Sequence, residues 1–171
     1  MKKVVVIGSS GAIGSAFVDH YINDQSINNI FSFSRSSIGI DNNKVKHFSI
    51  DIENESSVQD AAKSVEEINF DEIIIASGLL HTNEFGPEKS IKDLKADNIL
   101  KILNVNTVGP AIIGKHFLPL LNKDNKSVMA FLSARVGSIS ENKLGGWYAY
   151  RASKSALNQI IKTFSIELKR T

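Results

Sequence analysis

Short runs of apolar, β-branched residues alternate along the chain with longer stretches in which apolar residues recur every three or four positions. That is the pattern of strand and helix units wound around a parallel sheet. Five runs read as strands, at residues 3–7, 30–34, 45–50, 72–76 and 127–132. Several are apolar without interruption, as strands covered on both faces are. Helices are expected over 12–23, over 56–68 with Asn54 or Ser56 as N-cap, from Lys89 or Ser90 after Pro87, over 102–121, and over 147–169. Pro110 has to sit in or near the first turn of the fourth helix or kink it, because an interior proline removes a backbone donor. In the last helix Ala152, Ala156, Leu157, Ile160, Ile161, Phe164 and Leu168 fall at helical spacing. No repeat, low-complexity segment or linker argues for more than one domain.

Composition narrows the function classes. With 42% hydrophobic and 22% charged residues over 171 positions, the chain has ordinary globular balance and can bury a core. A net charge of +2, spread without like-charge runs, gives no footprint for nucleic acid or an anionic membrane. No apolar stretch is long enough for a membrane span or a signal-peptide core, so a soluble, cytoplasmic protein is expected. The absence of cysteine excludes disulfides, thiolate catalysis and cysteine-ligated zinc. His20, His47, His81 and His116 show no metal-ligand spacing, so no metal is expected.

The first strand runs directly into Gly8-Ser9-Ser10-Gly11-Ala12-Ile13-Gly14, which opens a helix. Glycines at a strand end can be turn residues and nothing more. The strand before and the helix after favour a further reading, in which Gly8 allows a sharp turn, Gly11 allows backbone to approach a diphosphate, and Gly14 allows close packing of helix on strand. The free N–H groups and positive dipole of the helix start then suit phosphate without a lysine, and no GK[ST] ending points to a P-loop. Far downstream lies Tyr150-x-x-x-Lys154. Residues i and i+4 share a helical face, so a phenol and an ammonium address one bound molecule. A tyrosine with a pKa of about 10 is a poor base near neutrality unless a cation such as Lys154 lowers it.

The spacing G-x-x-x-G-x-G, joined to Tyr150-Arg151-Ala152-Ser153-Lys154-Ser155-Ala156-Leu157-Asn158 about 140 positions later, resembles the short-chain dehydrogenase/reductase family. The run Ala76-Ser77-Gly78-Leu79-Leu80-His81, with residues 133–147, is most similar to its carbonyl-reductase branch. The resemblance implies a Rossmann-type doubly wound parallel sheet in the order 3-2-1-4-5. It also implies a nicotinamide cofactor, contacted by Gly8, Ser10, Gly11, Ile13, Gly14, Asp51, Ile52, Gly78, Tyr150 and Lys154. Arg35, with Ser36 and Ser37 behind the second strand, stands where an NAD enzyme would carry a carboxylate. A guanidinium there suits the 2′-phosphate of NADP, unless it is only a solvated strand end. Asp51 would accept from adenine, or simply cap the following helix.

In the family, tyrosine moves the hydroxyl proton while lysine holds the nicotinamide ribose. Asn106 matches the asparagine whose backbone holds a water in the relay, or is a helix-start amide. The serine that polarises the substrate oxygen is less direct. Counting back three from Gly137 reaches Ala134, so Ser133 is the expected residue and Ser138 the fallback. Where many members carry Asn-Asn-Ala-Gly, this chain reads Ile75-Ala76-Ser77-Gly78.

Family members usually continue past the position of Thr171 with two further strands and a segment that closes over substrate. A chain without them is expected to leave its fifth strand as an open edge. Two readings follow: an NADP(H)-dependent oxidoreductase interconverting a small-molecule carbonyl and alcohol, or a cofactor-binding or dimerisation module without turnover. A homodimer or homotetramer is expected through the fourth and last helices.

Overall fold

The computed structural model describes residues 1–37 and 39–170. They form two compact units, Met1–Ser77 with Ile112–Leu132, and Gly78–Ala111 with the segment from Ser133 onward.

The first unit holds the sheet. Its strands are β1 (Lys2–Ile7), β2 (Ile27–Ser34), β3 (Val45–Ser49), β4 (Glu72–Ile75) and β5 (Val128–Phe131). They pair in parallel in the order β3-β2-β1-β4-β5. Central β1 is flanked on both sides, Val5 lying opposite Phe31 and Ile73. This explains its uninterrupted apolar run, since alternate side chains enter different cores. Val5 and Ile7 join Phe31, Phe33, Ile73 and Ile75 beneath Val58, Ala61 and Ala62 of helix α2 (Glu55–Lys63). Ile113 and Phe117 close the same face, with Phe117 edge-on to Phe33 at 5.5 Å between ring centroids. Val4 and Val6, with Ile27 and Ile30, pack on Val18 and Tyr21 of helix α1 (Ala12–Asn23). Burial of each such side chain contributes about 1.5–3 kcal/mol, so the two faces together anchor β1 and the turn that leaves it.

The expected boundaries shift where local chemistry overrides periodicity. β2 starts three residues early, at Ile27. α2 begins at Glu55, because the Asn54 side chain accepts from the Ser57 amide at 3.2 Å. It stops at Lys63 instead of 68: the chain tightens into i+3 turns, Val65 N–H to the Ala62 carbonyl and Ile68 N–H to that of Val65.

The larger correction concerns the middle helices. After Pro87 there is only a 3-10 turn, Ile91–Asp93, closed by a capping box between Ser90 and Asp93. The α-helix expected there starts at Ala96, and no separate fourth helix begins at 102. Helix α3 (Ala96–Leu103) passes directly into a π turn, Asn104–Val108, and then into α4 (Gly109–Phe117). The Gly109 amide reaches back five residues to the Asn104 carbonyl. Pro110 therefore follows a widened turn, one of the ways a helix accommodates a proline in its interior. In the second unit, the 3-10 turn Arg135–Gly137 precedes α5 (Tyr148–Glu167). Among the described residues no helix is long and apolar enough to cross a membrane.

Candidate active site

In the first unit the residues expected to bind a nucleotide gather at the end of β1. Gly8 adopts φ +87°, and a Cβ there would lie 2.9 Å from the Ser77 amide nitrogen. A Cβ on Gly14 would lie 2.1 Å from the Gly8 carbonyl oxygen. Neither position admits a side chain, so the loop is a cradle of bare backbone. The Gly8 and Ser9 amides both donate to the Phe33 carbonyl, at 2.8 and 3.2 Å, which ties the cradle to β2. Gly11 is the N-cap of α1 and offers it no side-chain cap, and no acidic residue stands in its first turn. Its leading N–H groups thus face an open approach with their positive dipole unopposed. Ser10, Gly11, Ala12 and Ile13 are all exposed at this mouth. The cradle fits a diphosphate on these grounds.

Arg35 and Ser36 are exposed just beyond β2, and the Ser34 hydroxyl donates to the Ser36 carbonyl at 2.6 Å, pinning the turn that carries them. Asp51 has local work as well: its carboxylate accepts from the Glu53 amide, and its own amide donates to the Ser57 hydroxyl. Ile52 packs against the α2 face of the core. A buried chain of hydroxyls escaped the sequence reading. Ser32 donates to Ser9 at 2.7 Å, Ser9 donates to the Phe33 carbonyl, and Ser32 lies 3.3 Å from Nδ1 of His47. Nothing in the apolar pattern of β2 marks Ser32 as inward, because the strand alternates at that position.

The second unit gathers the dyad. Tyr150 and Lys154 lie one turn apart on α5, with the lysine Nζ 5.6 Å from the centre of the tyrosine ring. Lys154 is 1% exposed. A Cβ on Gly78 would sit 3.6 Å from that Nζ and 3.7 Å from Oδ1 of Asn106, so these three expected positions converge. Asn106 is fully buried; its Oδ1 accepts from the Leu79 amide at 2.7 Å, and its Nδ2 donates to the Leu79 carbonyl and to the Ser153 hydroxyl. Thr107 adds a hydroxyl bond to the Ser153 carbonyl at 2.9 Å. The side chain of Asn106 thus braces α5. Pro110, four residues on, has no amide to give to the Asn106 carbonyl. Replacing Asn106 by alanine strands these partners. We expect a loss of about 2–4 kcal/mol in urea unfolding, while a fall below 1 kcal/mol would contradict the brace.

The two serines part company. Ser133 donates to Oδ1 of Asn158 at 2.6 Å, whereas Ser138 lies 3.4 Å from the Ser140 hydroxyl and accepts from the Glu141 amide. Burial pushes the Tyr150 phenol above its ordinary value and the Lys154 ammonium below its own. The lowering of Tyr150 by Lys154 expected from spacing is not found. The amine lies over the ring, and burial disfavours its charged form. No cluster of metal-ligating side chains occurs among the described residues.

A family model for the short chain dehydrogenases matches residues 2–171. The chain belongs to that family. A curated short-chain relative, 1-hydroxy-2-glutathionyl-2-methyl-3-butene dehydrogenase of Rhodococcus sp. (strain AD45), is 30% identical over 71% of the chain and 51% of its own length. C-signal of Myxococcus xanthus is 31% identical over 47% of the chain and 48% of its own length. The chain thus spans about half the length of these relatives. Among solved structures, carbonyl reductase Sniffer of D. melanogaster superposes with a TM-score of 0.88 at 23% identity, covering 99% of this chain and 76% of that one. NADPH-bound carbonyl reductase from chicken fatty liver gives 0.87 at 22%, covering 99% and 72%. These likenesses share the short-chain dehydrogenase fold, and the sheet order agrees with it. Glu88, whose partners Trp147 and Ala149 lie about 60 positions away, carried no signal in the sequence.

Proposed function

We propose that this chain is the nucleotide-binding and proton-transfer part of an NADP(H)-dependent oxidoreductase that interconverts a carbonyl and an alcohol. The observation that carries the reading is the Tyr150 and Lys154 pair on α5, with Asn106 and Gly78 beside the buried lysine. A bound nicotinamide would supply or accept the hydride at the substrate carbon. Tyr150 gives the proton to the developing alkoxide or takes it from the alcohol, and Lys154 donates to the cofactor ribose. The Asn106 carbonyl holds a water behind the lysine, and Ser133 orients the substrate oxygen. In the first unit the Gly8 to Gly14 cradle takes the diphosphate, with Ser10 and Ile13 at its mouth, and Asp51 and Ile52 border the adenine.

Arg35 and Ser36 support NADP over NAD, because a guanidinium forms charge-assisted bonds to a 2′-phosphate and no carboxylate stands there. Replacing Arg35 by alanine is expected to raise the Kd for NADPH by about 10- to 100-fold and leave that for NADH unchanged. Equal losses for both nucleotides would remove the assignment.

One observation favours a second reading, a cofactor-binding or dimerisation module without turnover: Ser133 spends its hydroxyl on Asn158, and Ala134 stands beside it. NADPH oxidation with a panel of aldehydes and ketones, run alongside an NADPH titration, separates the two. Turnover supports the reductase; tight binding with no turnover supports the module. A homodimer or homotetramer through α4 and α5 belongs to either reading, and sedimentation as a monomer at high concentration would contradict it.

A further inference from the structure

The approach to α5 is unusual in backbone and in anchorage. Gly145 and Gly146 have φ +66° and +64°, and Trp147, at φ 53° and ψ 42°, is the one described non-glycine residue with positive φ. Bulky residues rarely take that conformation, and they hold it where the surroundings impose it. Here the imposing residue is Glu88. Its carbonyl accepts from the Trp147 amide at 2.6 Å, its carboxylate accepts from the Ala149 amide at 3.3 Å, and the residue is 6% exposed. Trp147 offers α5 no side-chain cap, so the distant carboxylate serves an amide in the first turn. From the other side Arg151 donates to the Gly145 and Gly146 carbonyls. Tyr150 follows in the same turn, with the Trp147 ring edge-on to its own at 6.3 Å and 76°.

We propose that Glu88 is a positioning residue for Tyr150: its carbonyl holds the left-handed Trp147 and its carboxylate, on the Ala149 amide, sets the first turn of α5 that carries the phenol. The proposal rests on the reading that Tyr150 transfers the proton. It extends that reading to a residue 62 positions upstream, in a segment without regular structure.

Trp147 is the chain's single tryptophan, so its emission reports on this one place. Every variant keeps the main-chain carbonyl; Glu88→Gln keeps a side-chain acceptor at the same reach, Glu88→Asp keeps the charge but withdraws it by one methylene, and Glu88→Ala removes the side-chain acceptor and its charge. Far-UV circular dichroism and urea midpoints check folding of the full chain, and the Asp variant serves if the Ala variant does not fold. Emission, near-UV dichroism and the kcat and KM of NADPH-dependent carbonyl reduction are then compared. Expected are a Gln variant with wild-type emission and kcat within about threefold, and Asp and Ala variants with shifted emission. In those two, kcat falls by about 10- to 100-fold while KM for NADPH is unchanged. Folded Asp or Ala variants with wild-type emission and kcat would overturn the proposal, as would a Gln variant as impaired as Ala. Tyr150→Phe is assayed beside them: activity surviving there refutes the role of Tyr150, while the emission result judges Glu88 by itself.

Discussion

Replacing Tyr150 by phenylalanine is expected to cut carbonyl reduction by about 10²- to 10⁴-fold, with NADPH affinity little changed. The substitution removes one oxygen and keeps the ring that Trp147 and Lys154 contact, so packing survives while the proposed proton donor is lost. The pH profile of the unsubstituted chain gives the same test a second axis. Burial raises the phenol above its ordinary value, so the neutral donor persists through neutral pH. On the proposed mechanism, reduction needs that donor and is expected to fall as pH rises through the raised pKa. Alcohol oxidation, which would need the phenolate, is expected to climb over the same range. A reduction rate that increases with pH there would exclude Tyr150 as the donor, and so would a phenylalanine variant within tenfold of wild type.

Gly14→Ala carries the other large effect. Its new Cβ would meet the Gly8 carbonyl oxygen at 2.1 Å, the Gly8 carbonyl carbon at 2.7 Å and the Ser9 Cα at 2.9 Å. All three are backbone, so no rotamer change relieves the clash, and the cradle itself must move away from α1. We expect destabilisation of about 3 kcal/mol or more and loss of NADPH binding in fluorescence titration. Gly86→Ala is the matched control, since nothing lies within 4 Å of its added Cβ. It should shift the urea midpoint by no more than the equivalent of about 0.5 kcal/mol. Near-normal NADPH binding by Gly14→Ala would mean that the loop has another shape in solution.

The features legible in the sequence were those whose cause is local. The apolar run of β1, the glycines behind it, the 12–23 helix and the i, i+4 spacing of Tyr150 and Lys154 depend on neighbours within one turn or one strand. The π turn was only half legible. Pro110 announced a disturbance, but periodicity could not say whether the helix would start there or widen and continue, because that depends on how the amide of Gly109 is satisfied. The pairings of Ser133 and Glu88 were not legible at all. Ser133 finds Asn158 25 positions away, and Glu88 finds Ala149 61 positions away, pairings with no repeat spacing to betray them. Nor does the residue type help at Trp147: asparagine or glycine would suggest a left-handed turn, whereas tryptophan argues against one.

The sheet's two margins differ in kind. Among the described strands β3 and β5 each pair on one side only. β3 turns Lys46, His47 and Ser49 to solvent, whereas β5 reads Val-Met-Ala-Phe with Val128 45% exposed. A polypeptide arriving at β3 would have to dehydrate an ammonium, while one arriving at β5 would cover hydrocarbon. The two margins therefore present different chemistry to whatever meets them, hydrated and charged along β3, largely hydrocarbon along β5.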